Sequence, residues 1–348
     1  MKSGLLRNFT LSASGHLQSL QMPRQLKKEK AEEPGQKKTA LEPLAPEYPG
    51  ACLICQAQLE PEPAIRGRDI LHGVPGEFSI HECPECGAGT TLPRATDAEL
   101  NAFYPKDYVP HEQPAGLLGR VMETVQRMRM KNKPMAAVRK IEPGRALDVG
   151  CGRGDLGAEL IRRGWKVWGI EPDPGAARVA RERGLQVSAG IMKTAEVEVP
   201  VDGFDLIVFQ HCLEHVTDPG GDLRAALSML GPDGRLIVTL PNWASWQRRA
   251  FLDRWFPLEL PRHRTHWTPR ALEIALRQAG AGQVETMTST SFICFFWSLQ
   301  YRFAGRLLSE KGPALLAGYM ISALLWPVAK SLNAFGRGGD FLHAVARR

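Results

Sequence analysis

The stretch Arg145-Ala-Leu-Asp-Val-Gly-Cys-Gly-Arg-Gly154 decides the fold of this chain. Its apolar first half predicts a buried strand, and three glycines follow that strand directly. The next apolar run, Lys166-Val-Trp-Gly-Ile170, ends in the carboxylate of Glu171. Because parallel strands joined by a helix end at the same edge of a sheet, we expect the glycine loop and the carboxylate to lie side by side. The pattern predicts a nucleoside site at the carboxyl edge of an α/β sheet.

The glycine loop and the carboxylate also suggest which nucleoside is bound. Glycine lets the backbone approach a ligand closely and leaves amides available near a helix N-terminus, and Glu171 can accept both hydroxyls of a ribose. A dinucleotide site would read Gly-x-Gly-x-x-Gly, whereas this loop reads Gly-x-Gly-x-Gly with Asp148 before it. An ordinary tight turn is the alternative for the glycines alone, and the acid after the next strand argues against it.

The Asp-x-Gly-x-Gly-x-Gly pattern from Asp148 resembles the class I S-adenosylmethionine (SAM)-dependent methyltransferases. The resemblance implies that Asp148 organises the loop and the methionyl end of SAM, that the glycines wall the ligand, and that Glu171 binds the ribose. Cys151 and Cys212 are expected to be small packing groups rather than nucleophiles. The cofactor-binding residues implied in this way are Asp148, Gly150, Cys151, Gly152, Gly154, Glu171, Pro172, Gln210 and His211.

Two later stretches strengthen the resemblance. The segment from Phe204 to Pro219 resembles the fourth-strand motif of the family, so a buried strand is expected to deliver Gln210 and His211 to the sheet edge, with Glu214 and His215 beginning the next helix. The segment 231–241 resembles the family's turn and fifth strand, with Asp233 replacing the first glycine of the usual Pro-Gly-Gly. The resemblance covers roughly residues 140 to 290. It implies a Rossmann-like, seven-stranded domain that ends in an antiparallel pair, 283–288 and 341–346.

Four of the seven cysteines fall as two Cys-x-x-Cys pairs: Cys52, Cys55, Cys83 and Cys86. Paired knuckles of this kind close a tetrahedral Zn(II) site, and four thiolates leave no position open for catalysis. We therefore predict a zinc ribbon with a structural metal, and disulfides are the weaker alternative in a reducing compartment. The segment from Gly87 to Tyr108 resembles the link between ribbon and catalytic domain in bacterial methyltransferases often associated with sugar or cell-surface polysaccharide synthesis.

Histidines supply the candidates for general-base chemistry, because they titrate near neutral pH. His211 lies where the family places the methyl end of SAM, and His215 follows it with a catalytic or a loop-holding role. The segment 258–269 resembles the stretch with which sugar methyltransferases offer a Glu-His pair; here Arg262-His263 stands instead, so the base is retained without its acidic neighbour. His263 is the preferred base. The alternative is that its ring only bonds a backbone carbonyl.

An apolar insertion, residues 291–335, separates the last two expected strands. Its apolar runs are about 16 residues long, short of the roughly 20 that span a bilayer. Arginine and lysine flank them, which favours a helical hairpin in the membrane surface or a cap over a lipid-linked acceptor. The alternative is a helical pair packed on the catalytic domain or on a second subunit, as in a homodimer.

The chain has 348 residues, 43% of them apolar, and a formal net charge of +7, so it can bury more than one domain core. Residues 1–47 are polar and predict a disordered tail. The ribbon is expected over 48–92, a helical linker over 93–140 and the catalytic domain over 141–348. The first residues do not resemble a signal peptide, so we expect a cytoplasmic protein. Peripheral binding to the inner face of the cell membrane is the option that the apolar insertion leaves open.

The sequence therefore predicts a SAM-dependent methyltransferase that acts on a glycan, a lipid-linked sugar or a related small molecule. A quinone-type O-methyltransferase is the alternative among enzymes, because ubiquinone-biosynthesis methyltransferases share the Glu-His-Val motif. A non-catalytic SAM-binding adaptor is the alternative outside enzymes. Nucleic acid is not an expected partner, because no basic residues interleaved with aromatics surround the ribbon.

Overall fold

The computed structural model describes residues 49–104, 138, 141–291, 293–308, 312–335 and 338–348. The predicted disordered tail and most of the predicted helical linker, 93–140, lie outside the described residues. The N-terminal part contains the strands β1 (Ile65–Gly67), β2 (Phe78–Glu82) and β3 (Gly89–Leu92), followed by helix α1 (Asp97–Ala102). The three strands pair antiparallel in chain order.

A seven-stranded sheet forms the centre of the second part. Its strands are β4 (Arg145–Val149), β5 (Lys166–Glu171), β6 (Gln186–Ala189), β7 (Phe204–Gln210), β8 (Leu230–Pro241), β10 (Gln283–Ser289) and β11 (Phe341–Arg347). Their order is β10-β11-β8-β7-β4-β5-β6, and only the pairings of β11 are antiparallel. The chain thus winds from β4 towards β6 on one side and, from β7, in the other direction. Ligands of such sheets bind at this switch point, outside the carboxyl ends of β4 and β7.

Helices α2 (Asp155–Arg162), α3 (Pro174–Glu182), α4 (Pro219–Met229) and α6 (Pro269–Gln278) connect and cover the strands. The last three begin in the same way, with proline in the first turn and a capping side chain before it, from Asp173, Asp218 and Thr268. The expectation that Glu214 and His215 begin α4 was therefore wrong. They lie in a turn before Pro219, because Asp218 and Pro219 determine where the helix starts.

The two parts of the fold share a sheet. Strand β9 (Thr265–His266) lies between β8 and α6 in the chain, yet it pairs antiparallel with β3 and completes a four-stranded sheet, β1-β2-β3-β9. The Thr268 hydroxyl also donates to the carbonyl of Cys86 (2.9 Å). The N-terminal module is therefore joined to the loop that precedes α6.

Between β8 and β9 lies helix α5 (Trp246–Phe251), and the apolar insertion contains helices α7 (Cys294–Ala304) and α8 (Gly312–Phe335). Helix α8 has 24 residues, so the expectation of a run too short to span a bilayer was wrong for this segment. Lys330 ends the uncharged run in the sequence, but the helix continues through it to Phe335. By length and composition, Pro313–Phe335 could cross a membrane, with a mean hydropathy of 1.4.

Candidate functional site

The glycine loop after β4 adopts a backbone that other residues rarely tolerate. Gly150, Gly152 and Gly154 have φ angles of 68°, 53° and 76°. A Cβ on Gly150 would lie 2.6 Å from the sulfur of Cys212, whereas a Cβ on Gly152 would meet nothing within 4 Å. The loop is therefore packed on one side and open on the other, where a ligand can approach the backbone.

Glu171 connects this loop to the end of β5. Its Oε2 accepts the N–H of Gly152 (2.8 Å) and its Oε1 accepts the N–H of Asp173 (2.9 Å). The side chain is only 6% exposed, and burial raises the pKa of its carboxyl. Each carboxylate oxygen can accept a further hydrogen bond. The predicted juxtaposition of loop and acid is present, with acceptor capacity left for ribose hydroxyls.

Asp148 lies beneath the loop at the end of β4 and is buried. Its burial and the nearby charge of Glu171 raise the pKa of the Asp148 carboxyl to about 8. Two neighbouring buried carboxyls favour a ligand that brings positive charge. The methionyl ammonium and the sulfonium of SAM supply such charge, so these residues fit this cofactor.

The other predicted cofactor residues surround the same edge. Gln210 is exposed at the end of β7, and Pro172 is exposed after β5. His211 follows with a φ of 53°, unusual for a residue with a side chain, and its ring lies 4.7 Å from that of Phe341. Cys151 is buried, and burial raises the pKa of its thiol, as it does for Cys212, so neither cysteine is placed as a nucleophile.

A second cluster of ionisable groups follows β7. Glu214 is 1% exposed and His263 is 4% exposed, and the ring centroids of His215 and His263 are 4.6 Å apart. The Oε1 atom of Glu214 lies 3.5 Å from Nδ1 of His211 and 4.0 Å from Nε2 of His263. The structure thus brings all three predicted catalytic histidines around one buried carboxylate.

Backbone carbonyls orient two of these rings. His263 Nδ1 lies 2.9 Å from the carbonyl oxygen of Pro257, and His215 Nδ1 lies 3.1 Å from that of Arg262. A carbonyl only accepts, so both Nδ1 atoms carry the proton and each Nε2 keeps its lone pair. Burial lowers the pKa of both rings to about 4, which keeps them neutral at pH 7. The carbonyl bond that the sequence left as an alternative role for His263 is present, and it leaves Nε2 available.

Sequence reasoning missed two members of this cluster. Glu259 Oε2 lies 3.9 Å from Nε2 of His263. Arginine replaces the expected glutamate at position 262, and Glu259 and Glu214 provide acidic neighbours for His263 instead. The spacing of four residues between Glu259 and His263 was the available signal. The hydroxyl of Tyr104 lies 2.9 Å from Nδ1 of His215, a contact across 111 residues that no local pattern indicates.

The four predicted zinc ligands converge in the N-terminal module. The sulfurs of Cys52 and Cys86 are 3.6 Å apart, those of Cys55 and Cys83 are 3.4 Å apart, and all four lie within 4.8 Å of one another. Zn–S bonds of about 2.3 Å in a tetrahedron require sulfurs roughly 3.8 Å apart, so the set fits zinc. Ligand atoms of Glu214, His215 and His263 also lie within 4.8 Å of one another and could hold a cation.

Comparison with known proteins supports the resemblance of the central part of the chain to methyltransferases. Residues 120–285 match a family model described as a methyltransferase domain. The chain is 36% identical over 110 residues to a ubiquinone biosynthesis O-methyltransferase of Xanthomonas axonopodis (30% of this chain, 46% of the relative). It is 32% identical over 154 residues to the protein of that name from Azorhizobium caulinodans (41% of this chain, 61% of the relative). The chain thus spans about half the length of these curated relatives.

Solved structures with a similar arrangement include a SAM-dependent methyltransferase, a possible histamine N-methyltransferase, from Thermotoga maritima. It has a TM-score of 0.43 and 18% identity, and the match covers 66% of this chain and 93% of that one. A SAM-dependent methyltransferase from Archaeoglobus fulgidus has a TM-score of 0.44 and 15% identity, with coverage of 65% and 94%. Residues 120–285 are thus similar to a methyltransferase domain, and the seven-stranded sheet has a Rossmann-like strand order.

Proposed function

We propose that this protein transfers a methyl group from SAM to a hydroxyl of a glycan, a lipid-linked sugar or a related small molecule. The single observation that supports this most is the position of the two clusters. Glu171, which bonds the glycine loop, is the last residue of β5, and Glu214 with its surrounding histidines comes after β7 in the chain. Strands β5 and β7 are the two parallel neighbours of β4, so both clusters lie at the same edge of the sheet. A cofactor and an acceptor held there would meet outside the carboxyl end of β4.

When bound, SAM supplies a methyl group on a positively charged sulfur, and the reaction is an in-line displacement at that carbon. Most of the acceleration then comes from holding the nucleophile in line. Nε2 of His263 takes the proton of the acceptor hydroxyl, while the Nδ1–H bond to Pro257 keeps the ring in place. The carboxylates of Glu214 and Glu259, about 4 Å from Nε2, stabilise the positive charge that the ring acquires.

The glycan acceptor is supported by the polarity of the cluster. Carboxylate oxygens and unprotonated Nε2 atoms accept hydrogen bonds, and a polyol supplies several donors. The second candidate, a quinone-type O-methyltransferase, is supported by the relatives at 32% and 36% identity, and a phenolic hydroxyl would use the same base.

An assay of SAM consumption tests the proposal. Purified protein is incubated with methyl-labelled SAM and with separate pools of nucleotide sugars, membrane glycolipids and phenolic quinone precursors. We expect S-adenosylhomocysteine to form only when a sugar-containing pool is present. Turnover with the phenolic pool alone would establish the second candidate, and SAM binding without turnover of any pool would indicate an adaptor. Mass spectrometry of glycans from cells with and without the protein then identifies the methylated unit.

We further propose that helix α8 attaches the protein to the membrane surface. Only 22% of the apolar window in this helix is buried, and Leu324 and Phe335 are 77% and 86% exposed. The ammonium of Lys330 lies over the ring of Trp326, a pair suited to the headgroup region. We expect the protein to sediment with anionic liposomes and to be released by high-pH extraction. A variant with a short turn replacing 291–335 should bind SAM without sedimenting.

Two results would contradict this membrane proposal. A full-length protein that ignores liposomes and sediments as a dimer would show that α8 is a subunit interface. Resistance to high-pH extraction would show that α8 spans the bilayer.

We also propose that the four-cysteine set binds one structural zinc ion, because the distances between its sulfur atoms fit tetrahedral zinc.

A further inference from the structure

The loop that carries His263 is held from the side of the N-terminal module. Thr91, on β3, donates its backbone N–H to the carbonyl of Arg264 (2.9 Å) and its hydroxyl to the carbonyl of His263 (2.6 Å). The same hydroxyl lies 2.9 Å from Nε2 of His266 on β9. The backbone of the candidate base and of the residue after it is therefore held by a strand of the module.

A buried ion pair adds a side-chain contact between the same two regions. Arg262 is fully buried, and its Nη1 and Nη2 atoms donate to Oδ2 and Oδ1 of Asp69 at 2.8 and 2.9 Å. Asp69 lies between β1 and β2, and its carboxylate also accepts the backbone N–H groups of Leu71, His72 and Val74. Asp69 is thus held by its own loop and presents a rigid bidentate acceptor to the guanidinium.

Arg262 touches the catalytic cluster by two routes. Its carbonyl oxygen accepts the Nδ1–H of His215, and its Nε lies 3.8 Å from Oε2 of Glu259, the carboxylate that faces His263. The backbone of the next residues is bonded to the carbonyl of Glu214, through the N–H groups of Arg264 and Thr265. A shift of Arg262 would therefore change the orientation of both histidine rings.

We propose that Asp69 and Arg262 are positioning residues, through which the N-terminal module holds the base His263 and its neighbour His215 at the acceptor side of the site. This inference rests on the proposed methyltransferase function. Asp69 belongs to the N-terminal module, and Arg262, 193 residues later, belongs to the catalytic part of the chain. The inference therefore gives the N-terminal module a part in the active site.

The test compares Asp69→Asn with Glu77→Gln in the zinc-loaded protein. Asn keeps the shape of the side chain but removes the charge that a buried guanidinium needs, and losing one partner of a buried pair leaves the other uncompensated. Glu77 is the matched control, because it pairs with Arg68 in the same module with both side chains about three-quarters exposed. SAM affinity and zinc content should be unchanged in both variants.

Two measurements report on the histidines without needing an acceptor. Carbethoxylation by diethyl pyrocarbonate, followed by peptide mass spectrometry, measures access to His263, which is buried here. Nitrogen-15 spectra of the rings report the tautomers of His215 and His263. We expect the Asp69→Asn protein to react at His263 at least about 10-fold faster and to lose the single Nδ1–H tautomer of His215, whereas Glu77→Gln behaves as wild type.

Turnover adds a third measurement once an acceptor is known. Asp69→Asn should lower kcat about 10-fold or more with the KM for SAM unchanged, because the base is misplaced while the cofactor loop is untouched. Wild-type tautomers and reactivity at His263 in a folded Asp69→Asn protein would overturn the inference. If Asp69→Asn does not fold, Arg262→Lys, which keeps the charge but loses the bidentate fork, is read by the same criteria. Since the ring measurements need no turnover, failure of the proposed methyltransferase function is distinguishable from failure of this inference.

Discussion

The proposed cofactor loop, residues 148–154 with Glu171, and the proposed acceptor cluster, Glu214 with its surrounding histidines, lie at the same edge of one sheet, but they are built in opposite ways. The cofactor loop and its carboxylates lie within residues 148–173, and backbone amides satisfy Glu171 at short range. The acceptor cluster draws Tyr104, Glu214 and His263 from distant segments and is held from outside by Asp69 and Arg262. The first region is determined by local turn chemistry, and the second depends on the packing of two modules.

This difference predicts that the two halves of the site can be damaged separately, and Cys83→Ser should do so with the largest effect. Loss of a thiolate should abolish stoichiometric zinc binding and unfold the ribbon, because binding and folding are coupled in small metal modules. The loop around His263 should then lose its β3 partner while SAM binding persists. Metal analysis and hydrogen exchange of residues 259–268 measure this, with Cys294→Ser as the control. Retained stoichiometric zinc would refute the ligand set.

His263→Ala is expected to damage the acceptor side of the site alone. We expect turnover to fall by about 10²-fold or more, the usual size of a general-base contribution, with unchanged SAM affinity. In the wild type, activity requires the neutral ring, so it should be lost only as the pH falls towards the His263 pKa of about 4. Kinetics and a pH profile measure both. Full turnover in His263→Ala with loss in His211→Ala would move the base to the loop after β7.

Glu171→Ala is the corresponding change in the cofactor half. It removes a buried acceptor of ribose hydroxyls and also the anchor of the Gly152 amide. Charge-assisted bonds are worth roughly 1.5 to 3 kcal/mol, so SAM should bind at least about 10-fold more weakly, while the tautomers of His215 and His263 stay as in wild type. Calorimetry gives the affinity, and Glu182→Ala, exposed on the neighbouring helix, is the control. An unchanged affinity would disprove the role of this acid.

The smallest expected effect concerns Asp148 in the cofactor-free protein. Its folded-state pKa of about 8 is above the ordinary aspartate value of 3.8, so the folded state binds this proton more tightly than the unfolded state does. The resulting stability is complete below about pH 4 and is lost as the pH rises to 8. Asp148→Asn should therefore melt a few degrees higher than wild type at pH 8 and show a flatter profile. Thermal melts against pH measure this, with the exposed Asp233→Asn as the control; parallel profiles would contradict it.

The sequence alone determined the strand-loop-strand unit around Asp148, the facing carboxylate of Glu171 and the four-cysteine set. These depend on hydrophobic period, glycine conformation and ligand spacing, all of which act over a few residues. The resemblance of its segment also singled out His263, which lies in the cluster around Glu214.

Only the tertiary structure decided what surrounds His263. The pairing of β9 with β3, the approach of Glu259, the tautomer imposed by Pro257 and the Asp69–Arg262 pair join segments that no local pattern relates. The length of α8 was misjudged for a different reason: the charge of Lys330 ended the run that was counted in the sequence, but an exposed charged residue does not end a helix. Burial and long-range pairing depend on how the whole chain packs, and they determine which ionisable groups meet and in which protonation state.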